Sequence, residues 1–199
     1  EPWSKRSPET ARSHTTHFSV IDKDRNMVSV TETAAENFGA KFTTPGTGIL
    51  HADAMVWFNP IPGAANSIAP GKRPMCNIGT MLVTRGGEPF MALGSPGGRK
   101  IMNCNTQVLS NVIDFGMTMQ PAVSAPRIDA SGRVNVYNDL IEPRTIARLE
   151  SMGHLMEAAT EEHNPLGWEF AHATAVLVGD DGMLRGGVEK VARAEARGY

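Results

Sequence analysis

Thr15-Thr16-His17-Phe18-Ser19-Val20-Ile21-Asp22-Lys23-Asp24-Arg25-Asn26-Met27-Val28-Ser29-Val30-Thr31-Glu32-Thr33 is the stretch on which the fold turns. Phe18 and Val20 lead into a polar knot, Asp22 to Asn26, from which Val28, Val30 and Thr31 continue a β-branched run to Thr33. That pattern predicts a β-hairpin turning at Asp22 to Asn26. Residues 1–14 are polar, carry two prolines and show neither a two-residue nor a 3.6-residue apolar rhythm. They are expected to form a flexible leader. Thr15 and Thr16 therefore stand where a leader meets a first strand.

Working outward, residues 39–79 are rich in Gly, Pro, Asn and Ala with little periodicity, the composition of a long functional loop. Met81 to Thr84 and Phe90 to Leu93 flank Arg85-Gly86-Gly87-Glu88, a second hairpin signal, which runs into Gly94-Ser95-Pro96-Gly97-Gly98. Ile101, Cys104, Val108, Val112 and Phe115 then recur at helical spacing before Gly116. A second helix is expected from Pro143, at a first-turn position, through Ile146, Leu149 and Met152 to Gly153. Ala171 to Val178 is a near-continuous apolar run that reads as a buried strand, closed by a turn at Gly179 to Gly182. Strands at the start, middle and end with helices between them make a layered α+β domain.

The 199 residues set 19 Lys and Arg against 21 Asp and Glu, a net charge of −2. With no basic block, nucleic acid and anionic membrane surfaces are poor partners. No apolar segment approaches the ~18 to 20 residues of a membrane span. Cys76 and Cys104 can form at most one bridge and belong to no CxxC or CxxH pair, so neither a disulfide scaffold nor a structural zinc site is indicated. Cysteine use leaves the compartment open. The chain opens on Glu1 with no targeting pattern and reads as a piece of a longer product.

Taken singly, the candidate residues are ambiguous. Two threonines opening a strand are good strand formers, yet a threonine made N-terminal by cleavage acquires an α-amino group with a pKa of ~7.7 to 8 that can serve as base for its own hydroxyl. Glycines between a strand and a helix suit a tight turn, yet their bare N–H groups also suit an oxyanion. The GxxxxGK[ST] spacing of a nucleotide loop is lacking. Six histidines (His14, His17, His51, His154, His163, His172) invite a metal reading, but His14 and His17 fall on opposite faces of a strand, and no metal or other cofactor is implied. Glu161-Glu162-His163 reads as a solvated loop, and Cys76 as a small packed residue unless its surroundings activate it.

Read together, these features resemble the small subunit of the gamma-glutamyltranspeptidases, a family of N-terminal nucleophile hydrolases. The matching stretches are 15–24, 28–33, Phe38-Gly39, Thr47 to Leu50, Ala69 to Pro74, Gly94 to Gly98, Ala125-Pro126-Arg127 and Gly198-Tyr199. The resemblance implies a four-layer αββα sandwich and a precursor cut between His14 and Thr15. Residues 1–14 would then end a large subunit, and residues 15–199 would form the small catalytic one. It further implies that Thr15 attacks a small-molecule amide, that Thr33 orients it, that the N–H groups of Gly97 and Gly98 hold the oxyanion at ~2.7 to 4 kcal/mol per donor, and that water or an amine acceptor releases the acyl group. The large subunit from the same precursor is the implied partner, a dimer of such heterodimers is one assembly left open, and relatives are often periplasmic or extracellular.

The departures fall on substrate recognition. The resemblance implies an Asn at Ala35, a Gln and an Asp at Ala54 and Trp57, and a Ser-Ser pair at Cys76-Asn77. A glutamyl head group would there lose several charge-assisted hydrogen bonds of ~1.5 to 3 kcal/mol each. Ala35, Ala54 and Trp57 make a roomier, more apolar acyl pocket in which Asn77 can still donate and accept. The expected substrate is therefore an amide other than glutathione. A true gamma-glutamyltransferase relying on large-subunit contacts and an uncut, non-catalytic binding homologue are the alternatives. Val188-Glu189-Lys190 replaces the family's Asp-Pro-Arg and leaves the acceptor side open.

Overall fold

The computed structural model describes residues 15–160, 169–190 and 194–198. The expectations placed on residues 1–14, including His14 as the residue before the cut, and on Glu161-Glu162-His163 lie outside the described residues. The chain divides into two compact units, one of residues 15–16 and 32–77, the other of residues 17–31 and 78 onward.

The first hairpin forms as expected from β1 (Thr15–Ile21) and β2 (Met27–Thr33). Its turn is closed by Asp22, whose carboxylate accepts both the backbone N–H and the side-chain amide of Asn26 at 2.8 Å. In the larger unit, β3 (Met81–Arg85) and β4 (Glu88–Gly94) pair around Gly86 and Gly87. Both glycines have positive φ, at 62° and 92°, which a two-residue hairpin turn demands. β4 pairs on its other edge with a later strand, β8, which is flanked in turn by β9, giving the antiparallel order β3-β4-β8-β9 with β8 at Thr174–Val178 and β9 at Leu184–Val188. β4 is buried from Phe90 to Gly94, as befits a central strand covered on both faces.

Helix α1 (Ile101–Ile113) packs Ile101, Cys104, Val108 and Val112 onto this sheet with Met91, Leu93 and Leu177, joined by Met119, Ala122 and Val123 of α2 (Met119–Ser124). Gly187 lets α2 approach, since a Cβ there would lie 2.9 Å from the Met119 carbonyl oxygen. A smaller sheet orders β5 (Ile128–Asp129), β6 (Asn135–Asn138) and β7 (Met156–Ala159), with α3 (Pro143–Ser151) between the last two strands.

Three expectations need correction. The first long helix ends at Ile113, and Phe115 is 71% exposed instead of extending the apolar face, because the chain leaves the helix at Asp114 toward Gly116, whose φ is 64°. The second helix ends at Ser151, leaving Met152 exposed. The run from Ala171 joins the sheet only at Thr174: residues 171–173 are buried as expected, but the His172 N–H is engaged by the Pro96 carbonyl at 3.0 Å. Helix α2 and strands β5, β6, β7 and β9 are too short, or in β9 too glycine-rich, to announce themselves by periodicity.

Candidate functional site

In the smaller unit the two strand ends bring Thr15 and Thr33 together. The Thr15 hydroxyl donates to Thr33 Oγ1 at 3.0 Å, and the same oxygen accepts the Ala35 N–H at 2.9 Å. A hydroxyl oxygen has two lone pairs, so both bonds can hold at once and the Thr33 rotamer is set by the backbone that follows it. Ala35 itself lies in the left-handed region, φ 68°, where a β-carbon is disfavoured.

The other recognition candidates belong to the same unit and are tied in by main-chain bonds. The Asp53 N–H donates to the Ala34 carbonyl at 2.9 Å, which seats the single helical turn Ala54–Trp57 beside the segment after Thr33. Asn66 then acts as a clasp: its Nδ2 donates to the Trp57 carbonyl at 2.7 Å and its Oδ1 accepts the Met75 N–H at 3.1 Å, next to Cys76 and Asn77. Ala35, Ala54, Trp57 and Asn77 are half-buried, whereas Cys76 is exposed and not the small packed residue expected, because it lies in the loop of residues 39–79, which buries few of its side chains. In the sequence Asn66 belongs to no motif, and its one signal is its place in a long, aperiodic loop rich in Gly, Pro, Asn and Ala. Gly39 closes the turn below this segment, its φ 53° and the His51 carbonyl 2.2 Å from where a Cβ would stand excluding any other residue.

Gly97 and Gly98 belong to the larger unit. They have φ values of 148° and 60°, and Gly98 begins a short turn, Gly98–Lys100, that leads into α1. The loop holding them is pinned from several sides. Ser95 is fully buried and donates to Asn105 Oδ1 at 2.8 Å, while Asn105 Nδ2 donates to the Gly79 carbonyl at 2.6 Å. Gly94, just before, is packed against the His17 ring, which a Cβ would meet at 2.2 Å.

That ring lies between the hydroxyls of Thr31 (2.7 Å from Nδ1) and Ser19 (2.9 Å from Nε2). Burial disfavours its charged form and pushes its pKa from 6.5 down to about 4. His17 is thus a neutral packing residue under the glycine loop. The other described histidines occupy separate places: His51 stacks on Phe42 and bonds Thr44, His154 faces Asn135, and His172 is buried beside Pro96. Among the described residues no three of His, Cys, Asp and Glu gather as a metal site.

The α+β fold has close counterparts among solved structures. Superposition matches the chain of gamma-glutamyltranspeptidase from Pseudomonas nitroreducens complexed with L-DON, with a TM-score of 0.76, 31% identity and coverage of 92% of this chain and 99% of that one. Cephalosporin acylase from Bacillus halodurans matches with a TM-score of 0.78 at 27% identity, over 92% of this chain and 34% of that one. Residues 2–199 match the gamma-glutamyltranspeptidase family profile, and the chain belongs to that family. Among sequence relatives, a glutathione hydrolase proenzyme from Pseudomonas sp. (strain A14) is 37% identical over 185 residues, which make up 86% of this chain and 31% of that protein. An acylase ACY 1 proenzyme from Pseudomonas sp. (strain V22) is 40% identical over 140 residues, 70% of this chain and 25% of that protein. The chain thus spans at most about a third of the length of these two relatives.

Proposed function

We propose that residues 15–199 form the nucleophile-bearing part of a self-processing amide hydrolase or acyltransferase, with Thr15 as nucleophile. The observation that carries the reading is the Thr15–Thr33 hydroxyl pair at 3.0 Å, held on one side by the Ala35 N–H. In processing, Thr15 Oγ1 attacks the His14 carbonyl carbon, the His14–Thr15 amide C–N bond breaks as an ester forms, and the released nitrogen takes the hydroxyl proton. Water then hydrolyses the ester, leaving a carboxylate on His14 and a free amine on Thr15. That amine is the base for the second task. It accepts the Thr15 hydroxyl proton as the oxygen attacks a substrate amide, and passes it to the departing amine. Water or a second amine then resolves the acyl ester.

Thr33 is proposed to aim the nucleophile, and the N–H groups of Gly97 and Gly98 to hold the oxyanion. The large subunit of the same precursor would complete the enzyme. Support for a two-chain product comes from the Pseudomonas nitroreducens structure, one chain of which is matched over 99% of its length by this segment. The acyl group is proposed to be less charged than glutamate, because the side chains of Ala35 and Ala54 carry no hydrogen-bonding group and that of Trp57 carries no charge and only a single N–H donor. The acylase relatives favour this reading, and the glutathione hydrolase relatives favour the second one, a true gamma-glutamyl enzyme whose head-group contacts come from the large subunit.

Intact mass spectrometry of the full-length precursor tests the nucleophile. Two chains, the smaller beginning at Thr15, are expected from the wild type and one chain from Thr15→Ala. A Thr15→Ala precursor that still cuts itself would refute the assignment. Turnover of a gamma-glutamyl anilide against an aliphatic acyl anilide separates the two substrate readings.

A further inference from the structure

The most deeply buried ion pair among the described residues is not at the threonine pair. Arg127 and Glu189, with side chains only 4% and 7% exposed, bond to each other inside the larger unit. Two buried charges carry a desolvation cost that apolar residues would not, so stability alone is a weak account of them.

Their other bonds lead to the glycine loop. Arg127 Nη1 donates to the carbonyls of Val123 (2.5 Å) and Ala125 (3.2 Å), and Nη2 donates to the Ala171 carbonyl (3.4 Å). The Ala171 oxygen also accepts the Cys104 thiol at 3.2 Å. Glu189 is anchored in turn: its N–H donates to the Ala173 carbonyl at 3.1 Å, and its Oε1 accepts the Lys190 N–H at 3.0 Å. The segment 171–173 is thereby held at both ends, and it is this segment that meets the loop. Ala171 Cβ and Cα stand 2.3 and 2.5 Å from where a Cβ on Gly97 would be, and the His172 N–H donates to the Pro96 carbonyl. The Ala171–His172 peptide cannot rotate without breaking the bonds to Arg127 and Cys104, and any shift of it displaces the Pro96–Gly97 peptide.

We infer that the buried Arg127–Glu189 pair is a positioning device that sets the Pro96–Gly97 peptide, and with it the donor geometry of the glycine turn, through Ala171 and His172. This deepens the proposed function and rests on it for the meaning of the turn. The guanidinium is planar, and its fork fixes direction as well as distance, so the carboxylate that orients it also orients the Ala171 carbonyl.

The test compares wild type, Glu189→Gln and Glu189→Asp in the full-length protein by hydrogen–deuterium exchange and, in processed enzyme, by steady-state kinetics. Glu189→Gln is expected to speed exchange across residues 94–98 by about tenfold while residues 82–92 stay as in wild type. It is also expected to lower kcat about tenfold with KM within about twofold. Glu189→Asp, which keeps the charge, should recover part of both. Unchanged exchange at 94–98, or an equal rise at 82–92, would overturn the inference and leave the pair a purely structural one. If Glu189→Gln does not fold, Glu189→Asp decides by the same two readouts against wild type. A wild type that neither cuts itself nor turns over an amide would refute the proposed function, while the exchange comparison would still decide whether the pair positions the loop.

Discussion

The two units of this chain are built by different means. The larger one has a core in which Met91, Leu93, Ile101 and Val108 are essentially inaccessible, wrapped by an antiparallel sheet and two helices. In residues 32–77 of the smaller one, only Gly39, Phe58 and Ser67 are buried, and order comes from turns, two isolated bridges and side-chain amides or hydroxyls reaching the main chain. Apolar burial resists change, because every lost methylene leaves a cavity. A loop held by backbone bonds keeps its path while the outward side chains vary. The segment that carries Ala35, Ala54, Trp57, Cys76 and Asn77 is of the second kind, which gives a physical reason why the positions proposed for recognition can vary there without loss of the loop's path.

The contrast can be broken most directly by a pair of deletions read in chemical denaturation. Leu93→Ala in the core should cost about 2 to 5 kcal/mol, and Asn66→Ala in the loop only about 1 to 2, the loss of two hydrogen bonds at a half-buried site. Equal costs would mean that the loop unit is not the softer one. A smaller effect is expected from pH. His17 is held neutral, with a folded pKa near 4 against 6.5 unfolded, so its contribution to stability is complete above pH 6.5, declines as pH falls from there toward 4, and is flat below. Unfolding free energies of wild type and His17→Gln measured across that window should converge toward acid; parallel curves would refute the assignment of a neutral ring. The smallest effect is expected in the loop. Ala35→Gly should raise stability by about 1 kcal/mol by relieving the left-handed Cβ, seen as a higher melting temperature, whereas a fall would show that the strain at φ 68° is compensated elsewhere.

Legibility in the sequence followed the range of the forces involved. The Asp22 to Asn26 turn, the Gly86-Gly87 hairpin and the rhythm from Ile101 to Val112 each depend on residues within a turn or two of one another, and each could be read directly. The end of α1 is not legible in the same way, because Phe115 keeps the helical spacing while the chain has already left the helix; apolarity alone does not say whether a residue will pack. Ala171 reads as the start of a strand because a buried extended run and a β-strand have the same composition. What separates them is the partner, and at His172 the partner is the carbonyl of Pro96, not a neighbouring strand.

Read along the chain, the residues alone specify the order of hairpins, glycine turn and helices, the threonines at the strand ends, and the family resemblance through motifs spread from end to end. These are local preferences of backbone and side chain, repeated in a fixed order. Folding is what gives Thr15 and Thr33 a shared hydrogen bond, joins Trp57 to Met75 through Asn66, and brings Arg127 to Glu189 across 62 residues of sequence. Nothing local to Glu189 marks it as buried; its charge is tolerated there because the folded chain brings a guanidinium to one carboxylate oxygen while the adjacent Lys190 N–H bonds the other, and partners as far apart in sequence as Arg127 and Glu189 meet only once the sheet and helices have closed around them.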